Sequence, residues 1–245
     1  MRFYLLASGS GGNCCVVRSK ETLLFIDCGM TRSYLQAQLQ NHRIDHQMAD
    51  GLLITHLHTD HTASIRYFKG VAKYSMYELE NNNPMTFYQP FTIKDLTILP
   101  IPLSHDYPDT TGFRITQGRE SLVYVTDTGY LSSENLKHLT DADYYIMESN
   151  HDTTMLLNTQ RPSMVKRRIL TDDGHLSNAD CARYLSELIG PKTKEVVLAH
   201  LSQEANLPQL ALCTLTEILR ENNVDYSRLK ITIAEQNESC QGGSL

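Results

Sequence analysis

Residues 54–62 read ITHLHTDHT and bring three histidines and one aspartate into six consecutive positions, namely His56, His58, Asp60 and His61. The segment follows the apolar run GLLI, which has the length and composition of a buried strand. In an extended segment, side chains at alternate positions point to one side, and His61 would join them where the chain turns into a helix. The pattern therefore predicts that four side chains converge on one small volume.

Neutral imidazole nitrogens and carboxylate oxygens are the ligands that zinc, manganese and iron accept in proteins. Each residue also has an ordinary alternative, because a single histidine is commonly a core or surface side chain and Asp60 stands where a helix N-cap would stand. Four such groups held together without a cation would repel one another or lack partners, which favours a metal site. The spacing differs from the H-E-x-x-H helix of metalloproteases and indicates a site built on a loop.

Three further polar residues follow apolar, strand-like runs elsewhere in the chain. His105 follows LPIPLS, Asp127 follows SLVYVT and His200 follows EVVLA. Each of them alone fits an ordinary turn residue at the end of a strand. Loops at strand ends commonly assemble functional sites, so these residues together with the histidine block predict one shared site. The additional ligands would allow two metals, whereas the histidine block alone completes one tetrahedral site.

The elements that would position these residues can be predicted from periodicity. The runs FYLLAS, NCCVVRS and TLLFIDCG, separated by turns, predict an antiparallel meander. Helices are predicted at TRSYLQAQLQNHRI, TASIRYFKG, NADCARYLSELIG and LPQLALCTLTEILRENN, and further strands at GLLIT, AKYSMY, FTIKDLTILPIPLS, TGFRITQG, SLVYVTD, EVVLAH and KITIAEQ. Two β-sheets between outer helices account for this order. We expect a single domain over residues 1–245, with residues 235–245 as a loose tail.

Composition narrows the class of protein. The chain has 245 residues, of which 41% are hydrophobic, which suits one soluble domain with a full core. Its 28 acidic and 22 basic residues give a net charge of −6, which disfavours a protein that coats nucleic acid nonspecifically. The apolar start is too short for a signal peptide, and no run of about 18 apolar residues predicts a membrane span. Six cysteines without C-x-x-C spacing predict reduced thiols in a cytoplasmic protein.

The block H-x-H-x-D-H and the later segments SHD, TDTG and LAHLS resemble the metallo-β-lactamase superfamily, in particular its phosphodiesterase and nuclease branch. Further segments resemble the YycJ/VicX (WalJ) subfamily over nearly the whole chain, namely LASGSGGN, FIDCG, ESNHD, VKRRIL, GHLSN and AHLSQEAN. The resemblance implies an α/β fold, the αββα sandwich of two mixed β-sheets flanked by helices. For the subfamily it also implies exonuclease activity on double-stranded DNA in the 5′ to 3′ direction and a role in DNA repair.

Carried onto this sequence, the resemblance implies seven ligands for two divalent metal ions. One ion would be held by His56, His58 and His105, and the other by Asp60, His61 and His200, with Asp127 bridging the two. Zinc, manganese and iron suit these ligands, and manganese or zinc is expected. A water between two such cations loses its proton readily and can attack a phosphodiester, so the hypothesis is metal-dependent phosphodiester hydrolysis.

Other residues receive roles from the same resemblance. His175, in DDGHLSN, is the expected proton donor to the leaving group, with a helix cap as its alternative, and it is grouped with Asp60 as catalytic. Asp27 is expected to accept a hydrogen bond from a ligand histidine, or else to form a turn. Glu148 and Asp152 fit structural roles equally well. The residues expected to contact substrate are Lys166, Arg167, Arg168, Ser177, Asn178 and His151.

Two other functions fit parts of the pattern. A small-molecule hydrolase of the same fold, acting on an ester or a cyclic phosphodiester, would use the same metal ligands. A noncatalytic metal-binding regulatory protein would need no open metal position, and the presence of His175 beside a full ligand set argues against it. DNA is the expected partner and no membrane contact is expected. The sequence leaves open the metal, the protein partners and whether the chain forms a homodimer.

Overall fold

The computed structural model describes residues 1–244, which form two seven-stranded β-sheets. The first sheet contains β1 (Arg2–Ala7), β2 (Cys14–Arg18), β3 (Leu23–Ile26), β4 (Gly51–Leu53), β5 (Lys73–Ser75), β6 (Asn82–Pro84) and β14 (Cys240–Gly243). The second contains β7 (Phe91–Ile93), β8 (Leu96–Pro102), β9 (Thr111–Gln117), β10 (Glu120–Val125), β11 (Tyr144–Glu148), β12 (Glu195–Ala199) and β13 (Lys230–Ile233).

The helices are α1 (Arg32–Asn41), α2 (Thr59–Thr62), α3 (Ser133–Leu139), α4 (Thr153–Asn158), α5 (Ser163–Ile169), α6 (Asn178–Leu188) and α7 (Pro208–Glu221), with short 3-10 helices at His46–Met48 and Ile65–Phe68. Helix α1 packs on the outer face of the first sheet. Helices α3, α6 and α7 pack on the outer face of the second. The predicted αββα sandwich is confirmed. No helix within residues 1–244 has both the length and the apolar character that crossing a membrane requires.

The central strands of each sheet are buried on both faces, and the alternation of side chains along a strand shows how. In β1, Phe3 and Leu5 belong to the core between the sheets, whereas Tyr4 and Leu6 belong to the core beneath α1. Successive side chains of a strand point to opposite faces, so a strand covered on both sides reads as a continuous apolar run. This explains why the central strands of the chain are apolar at nearly every position.

Each sheet has an antiparallel part and a parallel part. Strands β1, β2 and β3 pair antiparallel, and β4 then joins β3 in parallel. In the second sheet β9 and β10 pair antiparallel, and β11 and β12 continue from β10 in parallel. Parallel neighbours end at the same edge of a sheet. The residues that follow β3, β4, β10, β11 and β12 can therefore meet there.

The structure confirms the opening antiparallel meander and the first predicted helix, whose buried residues Leu35 and Leu39 face the sheet. The segment TASIRYFKG is not one helix, because α2 ends at Thr62 and a separate 3-10 turn follows. The expectation of a loose tail at residues 235–245 is also incorrect in part. Strand β14 pairs antiparallel with β1, and Leu245 lies outside the described residues.

Candidate metal centre

The candidate site lies where neighbouring parallel strands end. Asp27 directly follows β3, and the histidine block begins three residues after β4, at His56. Glu148 is the last residue of β11, and His200 directly follows β12. Asp127 follows β10 by two residues. The topology of the parallel strands therefore places one polar residue from each strand at a common edge.

Three of these residues have left-handed backbone conformations. The φ angles are 58° at Asp27, 61° at Asp127 and 57° at His200. A residue with a Cβ atom adopts this region at a cost of about 1 kcal/mol or more, and such residues concentrate at functional sites. The side chains of these three residues meet the other members of the site at the strand ends.

The histidine block is extended only in its first half. His56 and His58 precede α2, whereas Asp60 and His61 lie within its first turn. The expectation that Asp60 continues an extended segment was wrong, because the helix begins at Thr59. The helical turn still carries Asp60 and His61 toward the same volume, where they meet residues from the second sheet.

A first group of potential metal ligands comprises His56, His58 and His105, with one ligand atom of each residue within 4.8 Å of the others. The Nε2 atom of His56 lies 3.0 Å from Nδ1 of His58. Burial lowers the pKa of His56 and of His105. Both rings are therefore neutral near pH 7, which is the form of histidine that binds a metal ion.

A second group comprises Asp60, His61 and His200, again with ligand atoms within 4.8 Å. Asp127 lies between this group and the first. Its Oδ2 atom is 3.2 Å from Nε2 of His61, and its Oδ1 atom is 3.5 Å from Nε2 of His200 and 4.0 Å from Nε2 of His105. Burial alone would raise the pKa of Asp127, but the nearby His200 and His61 outweigh it and hold the pKa well below its usual range.

The buried atoms of this site fit a cation. Within residues 1–244, neither Oδ2 of Asp127 nor Nε2 of His200 has a hydrogen-bond partner, although both are buried. An unsatisfied buried polar atom costs about 1–3 kcal/mol, so these atoms require a partner. A mixed set of imidazole nitrogens and carboxylate oxygens suits zinc, manganese or iron. The donors are therefore of the right kind and number for two divalent ions.

Asp27 holds His61 in place from below. Nδ1 of His61 donates to Oδ2 of Asp27 over 2.7 Å, so Nε2 is the nitrogen of this ring that can bind a metal, and it lies 3.0 Å from Nδ2 of Asn13. Asp27 also accepts hydrogen bonds from the backbone N–H and the hydroxyl of Thr55, at 2.9 and 2.8 Å. This is the contact expected for Asp27 from the sequence. A carboxylate of this kind fixes the ring orientation and the tautomer of a ligand histidine.

Glu148 contacts two histidines of the site at once. Its Oε1 atom accepts from Nδ1 of His175 and from Nδ1 of His200, both over 2.8 Å, while Oε2 accepts from the backbone N–H groups of Thr128 and Leu176. Burial raises the pKa of Glu148, but His175 and His200 outweigh it and lower the pKa overall. Burial likewise opposes the charged form of His200, whereas Asp127 and Glu148 raise its pKa to about 9.

Sequence reasoning left the role of Glu148 open. The available signal was a carboxylate at the end of the apolar run YYIM, which is the same pattern that identified Asp127 and His200. The strand that carries Glu148 was not among the predicted elements, and neither were helices α3, α4 and α5 around it.

Gly29 permits the close approach of α2 to the first sheet. A Cβ atom built on Gly29 would lie 2.6 Å from the backbone nitrogen of His61 and nearer still to the backbone carbonyl of Asp60. Backbone atoms cannot move aside as the end of a flexible side chain can. The glycine is therefore needed to place Asp60 and His61 beside Asp127.

We expect Gly29→Ala to displace the start of α2, to cost about 1–3 kcal/mol of folding stability and to weaken metal binding. Urea unfolding and a zinc titration of the metal-stripped protein measure the two effects. Gly118→Ala is the control, because a Cβ atom on Gly118 meets nothing within 4 Å and only the backbone strain at φ 58° remains. Normal zinc affinity in Gly29→Ala would show that α2 can be held in place without this close approach.

A cavity of about 280 Å³ opens over the two ligand groups. Its lining includes His58, Asp60, His105, Asp127 and His200, together with the proposed proton donor His175. The structure therefore brings all seven predicted ligands and His175 to one place. A substrate that enters the cavity would meet the ligand groups on one side and His175 on another.

Most residues expected to contact substrate do not line this cavity. Among them only Arg168 does. The hydroxyl of Ser177 caps helix α6 and bonds to Asp180, while buried Asn178 bonds to Ser149 and Asn206. Lys166 donates to the carbonyl of Leu157, and Arg167 is exposed on α5 outside the cavity. The polar groups of Ser177 and Asn178 thus form hydrogen bonds within helix α6 and with neighbouring loops.

His151 is buried behind the site, at 1% exposure, and does not line the cavity. Neither of its ring nitrogens has a hydrogen-bond partner within residues 1–244. Burial lowers the pKa of this ring to about 4, against the partial opposition of Glu148. The imidazole of His151 is therefore neutral and buried without hydrogen bonds to its ring nitrogens.

The pKa of His151 predicts an acid sensitivity. Because this pKa is about 4 in the folded chain and 6.5 in an unfolded chain, the unfolded state takes up the proton first as the pH falls. The contribution to stability is intact above pH 6.5 and declines as the pH approaches 4, by about 2 kcal/mol at pH 5. We therefore expect the free energy of unfolding of His151→Leu, relative to that of the wild type, to rise by this amount between pH 7.5 and pH 5. Urea unfolding at both pH values measures it. A difference between the two proteins that does not change with pH would contradict the assignment.

Comparison with known proteins places these features in a family. The model of the beta-lactamase superfamily domain matches residues 22–201. The chain is 30% identical over 237 residues to the exodeoxyribonuclease YycJ of Bacillus anthracis, covering 90% of each chain. It is also 30% identical over 240 residues to the exodeoxyribonuclease WalJ of Streptococcus pneumoniae serotype 2, covering 90% of this chain and 88% of the relative.

The fold has solved counterparts as well. The crystal structure of the metallo-beta-lactamase fold protein YhfI from Bacillus subtilis superimposes with a TM-score of 0.72 at 17% identity, covering 98% of this chain and 99% of the other. Similarity at that level of identity concerns the arrangement of the sheets and helices alone.

Proposed function

This chain belongs to the metallo-β-lactamase superfamily and is a metal-dependent hydrolase of the nuclease and phosphodiesterase kind, and from that premise we propose that it is an exonuclease of double-stranded DNA. We propose 5′ to 3′ digestion, a role in DNA repair and a cytoplasmic location. Both relatives are named as exodeoxyribonucleases, which supports DNA as the substrate. The six free cysteine thiols fit the reducing environment of the cytoplasm.

One observation carries the proposal, namely the position of the Asp127 carboxylate between two groups of ligand atoms. We assign His56, His58 and His105 to one metal ion, Asp60, His61 and His200 to the other, and Asp127 to both. When bound, two divalent cations lower the pKa of water and stabilise negative charge on phosphoryl oxygens. Manganese or zinc suits the mixed nitrogen and oxygen donors.

Asp60 has a second role in the proposal. Its carboxylate lines the cavity and is 28% exposed, unlike the fully buried ring of the neighbouring His61. A carboxylate oxygen that faces the cavity can accept a hydrogen bond from the attacking water and orient it toward phosphorus. Asp60 would thus serve both as a ligand and as an acceptor for the nucleophile.

His175 is proposed to donate a proton to the leaving alkoxide. Glu148 accepts from Nδ1 of His175, so Nε2 is the nitrogen available to hold and release a proton on the side away from Glu148. The ring lines the cavity and is 17% exposed. Because the same carboxylate also accepts from His200, the donor and a metal ligand are oriented by one buried group.

Digestion of linear double-stranded DNA, labelled at one 5′ end, tests the proposal. Metal-stripped protein is supplied with Mn²⁺ or Zn²⁺, and early release of the label as a small product would support 5′ to 3′ digestion. Release of the label only after the distal end has been shortened would overturn that polarity. A protein that binds two ions but digests no DNA would overturn the nuclease assignment. Hydrolysis of small esters or cyclic phosphodiesters would then point to a small-molecule hydrolase, and no turnover to a regulatory protein.

A further inference from the structure

The cavity over the ligand groups contains two positively charged side chains from the same part of the chain. Within residues 1–244, Arg161 and Arg168 are the lysine or arginine residues that line it. Arg161 lies two residues before α5, and Arg168 lies in the last turn of that helix. The end of helix α5 and the residues just before the helix therefore each contribute one cation to the cavity wall. Arg161 was not among the residues predicted from the sequence.

Each guanidinium is paired with a carboxylate from another loop. Nε of Arg161 donates to Oε2 of Glu204 over 2.8 Å, and Nη1 of Arg168 donates to Oδ2 of Asp106. The other carboxylate oxygen of Asp106 is 3.1 Å from Nε2 of the metal-ligand candidate His105. Arg168 thus reaches across the cavity to the loop that carries a ligand. Each guanidinium group that lines the cavity is thus held by one carboxylate.

These pairs can be exchanged for a phosphate. Each pair has one exposed and one partly buried side chain: Glu204 is 61% and Arg161 28% exposed, and Arg168 is 58% and Asp106 25% exposed. An ion pair that is open to water on one side contributes little to stability. A phosphate offers more negative charge and more acceptor oxygens than a carboxylate, and the planar guanidinium donates to it through paired N–H groups. The carboxylates therefore hold the guanidinium groups in position, and a phosphate can replace them.

Apart from these two arginines and the histidines of the proposed metal site, the charged side chains that line the cavity within residues 1–244 are acidic. Asp60, Asp106 and Asp127 contribute carboxylates. In the proposed function bound metal ions would neutralise charge at the scissile phosphate, but a nucleic acid strand brings further phosphates with it. The hydroxyls of Ser10 and Ser202 also line the cavity and can donate hydrogen bonds.

We propose that Arg161 and Arg168 form a second phosphate subsite, which binds a phosphate of the strand other than the one that is cleaved. The inference rests on the proposed function and specifies its substrate class. The enzyme acts on a substrate with at least two phosphates, and the subsite provides selectivity for a strand over a small phosphodiester. Binding energy from this remote phosphate is available to position the scissile bond.

The test compares two substrates in each variant. One is a short DNA duplex and the other is bis(p-nitrophenyl) phosphate, which contains one phosphodiester and no second phosphate. We expect Arg161→Ala and Arg168→Ala each to lower the ratio of kcat/KM for the duplex to kcat/KM for the small diester by about 10-fold to 100-fold. Each loss should also reduce the slope of log KM against log salt concentration by about 0.7–0.9.

Two other arginines serve as references. Arg220→Ala removes an exposed charge from the last turn of α7, outside the cavity, and should leave the ratio at its wild-type value. Arg167→Ala removes a charge from α5 itself but not from the cavity wall. A fall in the ratio for Arg167→Ala equal to that for Arg161→Ala would overturn the subsite in favour of general attraction by the helix.

Duplexes with a 5′-phosphate or a 5′-hydroxyl identify the phosphate that is bound. A wild-type preference for the 5′-phosphate that disappears in Arg161→Ala assigns the subsite to a terminal phosphate. An equal loss on both duplexes assigns it to a neighbouring phosphodiester. Unchanged ratios in both arginine variants, in an enzyme that digests DNA, would refute the subsite alone. Wild-type protein that hydrolyses neither substrate would instead refute the proposed function.

Discussion

Asp127→Asn is expected to abolish metal-dependent turnover, with a loss of about 10⁴-fold or more in kcat/KM, or about 5 kcal/mol of transition-state stabilisation. Asp127 is the one carboxylate placed between both groups of ligand atoms, and its Oδ2 atom has no hydrogen-bond partner among the described residues. An amide of the same shape carries no charge and offers one oxygen in place of two. Metal analysis should show the loss of at least one of the two bound ions.

Asparagine is a better replacement than alanine at this position. The φ angle of Asp127 is 61°, a region that asparagine adopts at lower cost than alanine. The change therefore removes the charge without adding backbone strain. Asp109→Asn is the matched control, because Asp109 has a φ of 58° but is exposed and outside the ligand groups. Full turnover in Asp127→Asn with two bound ions would eliminate the bridging role.

His175→Ala is expected to slow DNA cleavage by about 10²-fold to 10⁴-fold while the metal content stays near that of the wild type. The ring lines the cavity beside Asp127, with Nδ1 bonded to Glu148. The residue is outside the two proposed ligand sets, so its removal should affect proton transfer more than metal binding. Single-turnover digestion of a DNA duplex, combined with metal analysis, measures both quantities.

The leaving group distinguishes proton donation from a structural role. The alkoxide released from DNA needs a proton, whereas p-nitrophenolate is a stable anion near neutral pH. His175→Ala should therefore lose far less activity on bis(p-nitrophenyl) phosphate than on DNA. His138→Ala is the control, because His138 makes a similar contact with Glu134 on the surface of α3. Equal losses on both substrates would assign His175 to the shape of the site and not to acid catalysis.

The ligands of the candidate site could be predicted because they leave local patterns in the sequence. A dense histidine block and single polar residues after apolar runs gave His105, Asp127 and His200 by number, and the structure gathers them at one edge. The helical start at Thr59 was not apparent, since four residues are too few for a periodic signal.

Contacts between distant segments could not be predicted in the same way. The position of Glu148 after an apolar run was a local signal, but its role follows from the contacts with His175 and His200, which lie 27 and 52 positions away. Strand β14 forms by pairing with β1 at the other end of the chain, which no local propensity encodes. For the basic run at residues 166–168, the direction of each side chain on α5 decided which arginine reaches the cavity.

The left-handed backbone at Asp27, Asp127 and His200 has a consequence for engineering this enzyme. Glycine fits that conformation at lower cost, but a glycine at any of the three positions would break a buried contact between a carboxylate and a histidine. A design procedure that relieves backbone strain one residue at a time would therefore choose changes at the positions that the reaction needs most. Engineering of a more robust enzyme should keep these three residues fixed and seek stability elsewhere in the chain.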